Sequence, residues 1–432
     1  MIRFIYNLFW PLGLLIFLPG YFAKMIRRGG YREKFGQRLG IYDDEVRNRL
    51  SNQRSTWLHA VSVGEVNIAL KLANALRALE LDLHCVLTTT TTTGFALARK
   101  TAPSWIEVMY TPLDYWPIMR RAFSVICPAR IVLVEAEVWP NLAAAAHTRR
   151  IPLALVNARL SRRSEGRYRR FRFFVAPTFR LLDLVCVPER RDVERWTTLG
   201  VSRNRIHVTG SIKFDPDVQT QSHTVATSLR DVLPDVSPDS LVLFGGSTHR
   251  GEEEILVRIF LRLREQFPSL RLFIAPRHVE RLQEIRTRLT ALPLRVTLAS
   301  EALTCSSADA DCMLLDTTGE LQRWYGIASV VFIGKSLTAH GGQNPVEPIL
   351  AGKPVVFGPH MENFATLAKT LVSNSAAMQV SDADSLERTV GELLRDSEAR
   401  QRLVRNAHAA LGEHKGATAR AATLIHELKP KR

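Results

Sequence analysis

Short apolar runs alternate with amphipathic stretches along most of the chain beyond residue 50. In the first half, WLHAV (57–61), RIVLVEAEVW (130–139) and PLALVNARL (152–160) are each followed by a segment with helix-like spacing of apolar positions. Nearly continuous apolar strands between helices are typical of a parallel sheet covered by helices on both faces. The pattern therefore predicts a Rossmann-like α/β domain in this half.

A polar segment with three prolines (215–240) interrupts this pattern, which then restarts. LVLFGGS (241–247), LRLFIAPRH (270–278) and SVVFIGKS (329–336) are strand-like, whereas 384–428 is helical, rich in charge and without a strand-like run. No short-period repeat is present, which excludes a solenoid. We therefore predict two tandem Rossmann-like domains with a cleft between them, in which ligands bind at the carboxyl ends of the strands. The predicted domains are 29–220 and 221–432, with the C-terminal helices in the second.

The first residues have a different character. The segment from Ile2 to Met25 is nearly all apolar and long enough to cross a bilayer, and a cluster of basic residues follows it. The positive-inside rule then predicts a membrane anchor over residues 1–28, with the remaining chain in the cytoplasm. A cleavable signal peptide is one alternative, although no convincing cleavage site follows. Pro11 and Pro19 leave a bent helix lying in the membrane interface as another.

Composition narrows the partners only in part. The chain is 46% hydrophobic and 23% charged, as in globular proteins, and its net charge of +16 favours polyanions. Nucleic acid, anionic lipid and phosphorylated substrates all fit that charge. The five cysteines are scattered and no Cys/His cluster has metal-ligand spacing, so we predict reduced thiols and no metal site.

The first strand is followed by Ser62-Val63-Gly64-Glu65, which has two interpretations. Glu65 stands where a strand's carboxyl end opens into the cleft, and it could take a proton from an acceptor hydroxyl. Ser-x-x-Glu is also a capping box, in which Glu65 does no more than cap its own helix. The spacing alone favours the cap.

Two further strand ends carry charged residues. Glu135 and Glu137 end the run 130–139 and, by alternation, lie on the same side of the strand. Two acids at the end of a buried strand are costly without a partner or a task, which favours a functional role. Lys213 follows the last strand of the first domain. It is interpreted equally well as a contact to phosphate or carboxylate and as a solvated linker residue.

Basic and aromatic residues interleave over 162–174 (RRSEGRYRRFRFF). On an amphipathic helix this pattern suits an anionic membrane surface or a phosphorylated lipid. Read alone, the same segment could bind nucleic-acid phosphates or form a solvated helix face.

The second domain offers candidate nucleotide contacts at four strand ends. The glycine-rich segment 245–252 matches neither the P-loop motif nor GxGxxG. Its small residues nevertheless let the backbone amides near Ser247 and Thr248 approach a phosphate. Near the end of this series, Glu347 opens a short helix before AGKPVV (351–356), where its carboxylate could accept ribose hydroxyls. The remaining candidates are Pro276, Arg277, Thr318, Gly319, Glu320, Asn344, Pro345 and Val346.

Taken together, these motifs resemble a known family. SVGEV, EAEVWPN, NARLS, GSIKFD, PRH, TGEL and GGxNPVEP, in this order, resemble the transferases of 3-deoxy-D-manno-octulosonic acid (Kdo) in lipopolysaccharide synthesis. EPxLAGKPVV resembles the nucleotide-binding signature of GT-B glycosyltransferases. The chain departs from the family's GGHNP loop at Gln343, and its threonine run 88–93 differs from the usual TSTT-like wording.

The resemblance implies a role for each matching residue. Glu65 becomes the proton acceptor, and Glu135 and Lys213 become stabilisers of the transition state. The CMP-binding residues become Pro276, Arg277, Thr318, Gly319, Glu320, Asn344, Pro345, Val346 and Glu347.

The resemblance also implies an activity. The family transfers Kdo from CMP-Kdo to a lipid A precursor at the cytoplasmic face of the inner membrane, without cofactor or metal. The alternatives are a GT-B enzyme with another nucleotide sugar and, remotely, a non-catalytic module that binds polyanions.

Overall fold

A parallel sheet forms the core of each of two compact units. The computed structural model describes residues 3–10, 34–51, 53–136, 138–215, 240–304, 310–316 and 321–428. The chain divides into Met1–Asp217 with His414–Arg432, and Val218–Glu413. The predicted alternation of strands and helices in two domains is confirmed.

The first unit has seven strands. They are β1 (Ser55–Ala60), β2 (Cys85–Thr89), β3 (Ile106–Tyr110), β4 (Pro128–Val134), β5 (Leu153–Val156), β6 (Leu184–Val187) and β7 (Ile206–Val208). Their order in the sheet is β3-β2-β1-β4-β5-β6-β7, and all neighbours are parallel. Because β1 and β4 are central, the loops that follow them lie next to each other at one edge of the sheet.

Helices cover both faces of this sheet, as the apolar runs predict. Trp57 and Leu58 are neighbours in β1, are both fully buried and belong to different apolar clusters, one on each face. Burying a leucine side chain of this kind contributes about 2 kcal/mol. The helices are α1 (residues 3–10), α2 (Asp44–Leu50), α3 (Val63–Leu79), α4 (Thr92–Thr101), α5 (Trp116–Ile126), α6 (Pro140–Thr148), α7 (Arg162–Arg170), α8 (Arg172–Phe179) and α9 (Arg190–Thr198).

The second unit also has a seven-stranded sheet. Its strands are β8 (Val242–Thr248), β9 (Arg271–Pro276), β10 (Val296–Leu298), β11 (Cys312–Leu314), β12 (Val330–Ile333), β13 (Val355–Phe357) and β14 (Met378–Gln379). The order is β10-β11-β9-β8-β12-β13-β14, again with parallel neighbours. The helices are α10 (Glu252–Arg264), α11 (Leu282–Thr290), α12 (Ala299–Thr304), α13 (Leu321–Tyr325), α14 (Val346–Leu350), α15 (Ala365–Ser373), α16 (Ala383–Arg395) and α17 (Ser397–Gly412).

The end of the chain corrects the predicted domain division. The last helix, α18 (Ala417–His426), belongs to the first unit, where Ala421 and Ile425 are buried in the cluster around α3. The Asp215 carboxylate accepts the N–H groups of Gly416 and Thr418, both at 2.7 Å, and so caps this helix. The assignment of all of 221–432 to the second domain is therefore wrong for its last residues.

The N-terminal helix α1 packs on the first unit. The side-chain amides of Asn7 and Asn141 exchange hydrogen bonds of 2.8 and 2.9 Å, and the Trp10 ring stacks on Tyr115 with centroids 5.0 Å apart. Among the described residues, no helix is long and apolar enough to cross a membrane. Of the predicted anchor over residues 1–28, residues 1, 2 and 11–28 lie outside the described part of the chain.

Candidate active site

Glu65 lies in the first turn of α3, directly after β1, and is only 8% exposed. Its carboxylate accepts the Val61 N–H and the Ser62 hydroxyl, both at 2.8 Å, while the Glu65 N–H points at the Ser62 Oγ from 3.4 Å. The capping interpretation is therefore confirmed as a description of its hydrogen bonds. These contacts hold the carboxylate in one place at the positive end of a helix, where a negative charge is stabilised.

Glu135 follows β4 with a left-handed backbone, φ 64°, which is uncommon for a residue other than glycine. Its N–H donates to the Val156 carbonyl at the end of β5, at 2.9 Å. Strain of this kind, of order 1–3 kcal/mol, persists where the surroundings hold it and is concentrated at functional sites. Glu137, the second acid predicted here, lies outside the described residues.

Lys213 is half-buried in the 3₁₀ turn Ile212–Phe214 that follows β7. Burial lowers the pKa of its ammonium; the negative charge of Glu135 opposes that change and the positive charge of Arg159 adds to it. The charges of Glu135 and Arg159 both act on the Lys213 ammonium, so the structure places these three side chains in one neighbourhood. Of the two interpretations of Lys213, the solvated linker residue does not fit its half-burial.

Arg159 is the residue that the sequence prediction missed at this position. It follows β5, and its guanidinium carbon lies 4.8 Å from the centroid of the Phe214 ring. Burial lowers the pKa of Arg159, and the charge of Glu135 opposes the change. The signal was available in the motif NARLS, but an arginine after an apolar run is common on protein surfaces. Glu135, Arg159 and Lys213 thus form one charged cluster, and the carboxylates of Glu189 and Asp192 add further negative charge near Arg159.

In the second unit, a glycine within β8 and the glycine that follows β12 allow close packing. A Cβ on Gly246 would lie 2.4 Å from the Tyr325 hydroxyl, and one on Gly334 would lie 2.2 Å from the Ser247 carbonyl. Thr248 is fully buried, and its hydroxyl donates to Glu253 at 3.2 Å. The Thr248 hydroxyl therefore has a partner within the unit, whereas the predicted phosphate contact through the amides near Thr248 stays a prediction. Ser247, with φ 52°, stays a prediction.

No role was predicted for Glu252, which lies at the start of α10. In the structure its carboxylate connects several backbone segments at this edge of the sheet. Its buried carboxylate accepts the N–H groups of His249, Lys335, Ser336 and Leu337 at 2.7–3.1 Å. A carboxylate with four backbone donors is well compensated for its burial. It ties the loop after β12 to the start of α10.

The predicted donor-binding residues divide into three groups. Pro276 ends β9, and the exposed Arg277 is fixed beside β8 by its N–H, which donates to the Thr248 carbonyl at 3.0 Å. Before α14, the Asn344 amide donates to the Glu347 carboxylate at 2.9 Å and its oxygen accepts the Val346 N–H at 3.1 Å. The third group, Thr318, Gly319 and Glu320, lies outside the described residues.

The sequence of the chain is similar to those of known transferases. The chain is 32% identical to the 3-deoxy-D-manno-octulosonic acid transferase of Haemophilus influenzae over 401 residues, which are 93% of this chain and 92% of that protein. The chain belongs to this transferase family. The family model described as 3-Deoxy-D-manno-octulosonic-acid transferase (kdotransferase) matches residues 33–216, which include Glu65, Glu135, Arg159 and Lys213. The predicted family and enzyme class, a glycosyltransferase, are confirmed.

A second relative and one solved structure extend the comparison. The Kdo transferase of Bordetella pertussis is 32% identical over 376 residues, 84% of this chain and 85% of that protein. The crystal structure of UDP-GlcNAc 2-epimerase from Neisseria meningitidis bound to UDP-GlcNAc matches with a TM-score of 0.59 and 13% identity, covering 87% of this chain and all of that one. At such low identity the likeness establishes the fold alone, a GT-B-like pair of parallel sheets.

Proposed function

We propose that this Kdo transferase moves Kdo from CMP-Kdo to the 6′-hydroxyl of a tetraacylated lipid A precursor, with inversion at the anomeric carbon. The observation that carries the proposal is the arrangement at the carboxyl edge of the first sheet. There a fixed carboxylate, Glu65, follows β1, and the cluster of Glu135, Arg159 and Lys213 follows β4, β5 and β7.

In the proposed reaction, Glu65 accepts the proton of the acceptor hydroxyl. The oxygen attacks the anomeric carbon of Kdo as the bond to the CMP phosphate breaks from the opposite face, which inverts the configuration. The capping role of Glu65 is compatible with this step because a carboxylate accepts hydrogen bonds on about four lone pairs. The two hydrogen bonds from Val61 and Ser62 orient it for the transfer.

The proposed reaction also requires stabilisation of the leaving group. Charge grows on the leaving phosphate, and preorganised cations stabilise it more effectively than water does. We assign this task to Arg277 and the amides near Ser247, with Lys213 as a further contributor. The negative charge of Glu135 favours the charged forms of Lys213 and Arg159. The proposed reaction uses no cofactor.

The CMP group is assigned to the second unit. Asn344 orients the Glu347 carboxylate, which can accept ribose hydroxyls, and Pro345 and Val346 start the helix beneath it. Pro276 ends the neighbouring β9, and Thr318, Gly319 and Glu320 complete the assignment. Transfer of Kdo from CMP-Kdo to a tetraacylated lipid A precursor tests the whole proposal. An enzyme specific for another nucleotide sugar would leave that acceptor unmodified when CMP-Kdo is the donor offered.

The acceptor is a lipid, and we assign its membrane contact to α7 and α8. Phe171, Phe173 and Phe174 are 48%, 70% and 48% exposed, and the arginines beside them are exposed too. Exposed aromatic side chains among arginines suit an anionic headgroup layer. Helix α1 adds Phe4 and Phe9, which are also largely exposed. We propose that these surfaces hold the body of the enzyme at the cytoplasmic face of the inner membrane.

Replacing Arg167, Arg170 and Arg172 together by Gln should weaken binding to anionic vesicles. Each arginine near such a surface contributes about 1 kcal/mol, so the loss for the three should be roughly a hundredfold. Co-sedimentation with phosphatidylcholine vesicles, with and without phosphatidylglycerol, measures it.

The matched control replaces three exposed arginines of the second unit, Arg258, Arg388 and Arg402, by Gln. It removes the same charge and should leave vesicle binding nearly unchanged. Equal losses in both variants would mean that net charge alone drives binding, which would contradict the assignment to α7 and α8.

A further inference from the structure

Three side chains that the proposed reaction does not use meet in the second unit. The Nδ1 atoms of His340 and His360 lie 3.0 and 3.5 Å from the same carboxylate oxygen, Oε1 of Glu362. The two imidazole rings have centroids 3.9 Å apart. One ligand atom from each of the three residues lies within 4.8 Å of the other two. The sequence predicted no such cluster, because His340 and His360 are twenty residues apart.

These separations fit the face of a metal coordination polyhedron. With bonds of about 2.0–2.1 Å, neighbouring ligands of a tetrahedral zinc ion lie about 3.3 Å apart. The two Nδ1–Oε1 distances bracket that value. A cation above this face would keep the remaining position for water, since all three side chains are at least partly exposed.

The backbone holds the ligands in place. The second oxygen of Glu362 accepts the N–H of Gly341 at 2.6 Å, so this carboxylate has the fixed orientation that metal ligands receive from outer-shell donors. The His360 N–H donates to the Ser336 carbonyl at 3.0 Å, and the Asn363 N–H to the Gly341 carbonyl at 2.9 Å. Both loops that supply the ligands are therefore joined to each other independently of any ion.

Glycine makes this close approach possible. A Cβ on Gly341 would lie 2.8 Å from the Asn363 amide nitrogen, and a Cβ on Gly342 would lie 2.4 Å from the Met361 sulfur. Both glycines have a positive φ, 122° and 67°. The sequence thus brings the loop after β12 against the loop after β13 at the place where the three ligands meet.

We propose that His340, His360 and Glu362 bind a divalent transition metal ion of the zinc class. Two imidazoles and one carboxylate suit zinc, whereas magnesium prefers oxygen ligands throughout. The ion would clamp the loop that continues into Gln343 and Asn344. The Lys335 ammonium lies near Gly341, and its positive charge would weaken the binding by repulsion.

Zinc titration of the full-length chain tests this site. The protein is stripped with a chelator, then titrated with zinc chloride in competition with a chromophoric chelator. We expect the wild type to bind one zinc ion at this site. In each of His340→Ala, His360→Ala and Glu362→Gln that binding should be lost, or its affinity should fall by at least roughly tenfold. Excess magnesium should not displace it, and cobalt in its place should give the visible absorption of a four-coordinate ion.

The control is His426→Ala. His426 is also paired with a carboxylate, that of Glu80 at 2.7 Å, but no second histidine is part of that pair. This variant should bind zinc as the wild type does. The proposal is overturned if the wild type binds no zinc, or if His340→Ala binds it unchanged; the His340 side chain is 77% exposed, so its loss leaves the fold intact.

Discussion

Replacing Glu65 by Gln should lower kcat for Kdo transfer by roughly 10²–10⁴-fold, the usual contribution of a general base. The amide keeps the size of the side chain and an oxygen that can accept the Val61 N–H. It cannot take a proton from the acceptor hydroxyl. Steady-state transfer to a lipid A precursor measures the change, and binding of CMP should be unaffected.

The cap and the base are separated by a second variant, Ser62→Ala. It removes the Oγ toward which the Glu65 N–H points and the hydroxyl that donates to the carboxylate, but it leaves the carboxylate itself. Loss of such a cap costs about 1 kcal/mol of unfolding free energy. We expect Ser62→Ala to be less stable but to keep most of its kcat, because the Val61 N–H still orients the carboxylate. If Glu65→Gln stays active and merely melts earlier, Glu65 is only a cap, and Glu135 or Glu137 becomes the next candidate base.

Replacing Lys213 by Met should lower kcat by roughly 10²–10³-fold, as the loss of one preorganised donor to a developing negative charge does. Methionine keeps the apolar part of this half-buried side chain and removes its charge. Burial lowers the pKa of Lys213, so its positive charge is lost at a lower pH than that of an ordinary lysine. The wild-type kcat should therefore fall as pH rises through that lowered pKa, and the variant should lack this limb.

Lys71→Met is the matched control for Lys213. The Lys71 ammonium donates to the Asp215 carbonyl at 3.2 Å, so it contacts the same turn but has no place in the proposed reaction. We expect a small loss of stability and a nearly unchanged kcat and pH profile. Equal losses of kcat in both variants would show that the turn needs its lysines for structure, which contradicts a role for the Lys213 charge in the transition state.

The sequence pattern predicted the inner strands of both sheets, because those strands are buried on both faces and are continuously apolar. It did not predict β10 or β14, which are short strands at the two edges of the second sheet. Their residues are half-buried or exposed, so the apolar signal is absent. The destination of α18 was also beyond reach, since Ala421 and Ile425 show that the helix buries a face but not against which sheet.

The residues of the candidate site likewise include some that the sequence predicts and some that it does not. Residues at strand ends, such as Glu65 and Glu135, can be recognised because parallel strands place their carboxyl ends at one edge. Arg159 and Glu252 could not, since their roles depend on partners far along the chain: Phe214 for one, and Lys335 to Leu337 for the other. Gly246 was interpretable as a phosphate-binding glycine until its packing against Tyr325 was known.

Formation of the product tests the proposed transfer of Kdo to a lipid A precursor most directly. Purified enzyme is incubated with a tetraacylated lipid A precursor and CMP-Kdo, or with a UDP- or GDP-sugar in its place, and the lipid is analysed by mass spectrometry. We expect Kdo addition from CMP-Kdo alone and its loss in Glu65→Gln. An acceptor that stays unmodified with CMP-Kdo, or that gains a sugar from another nucleotide donor, would contradict it.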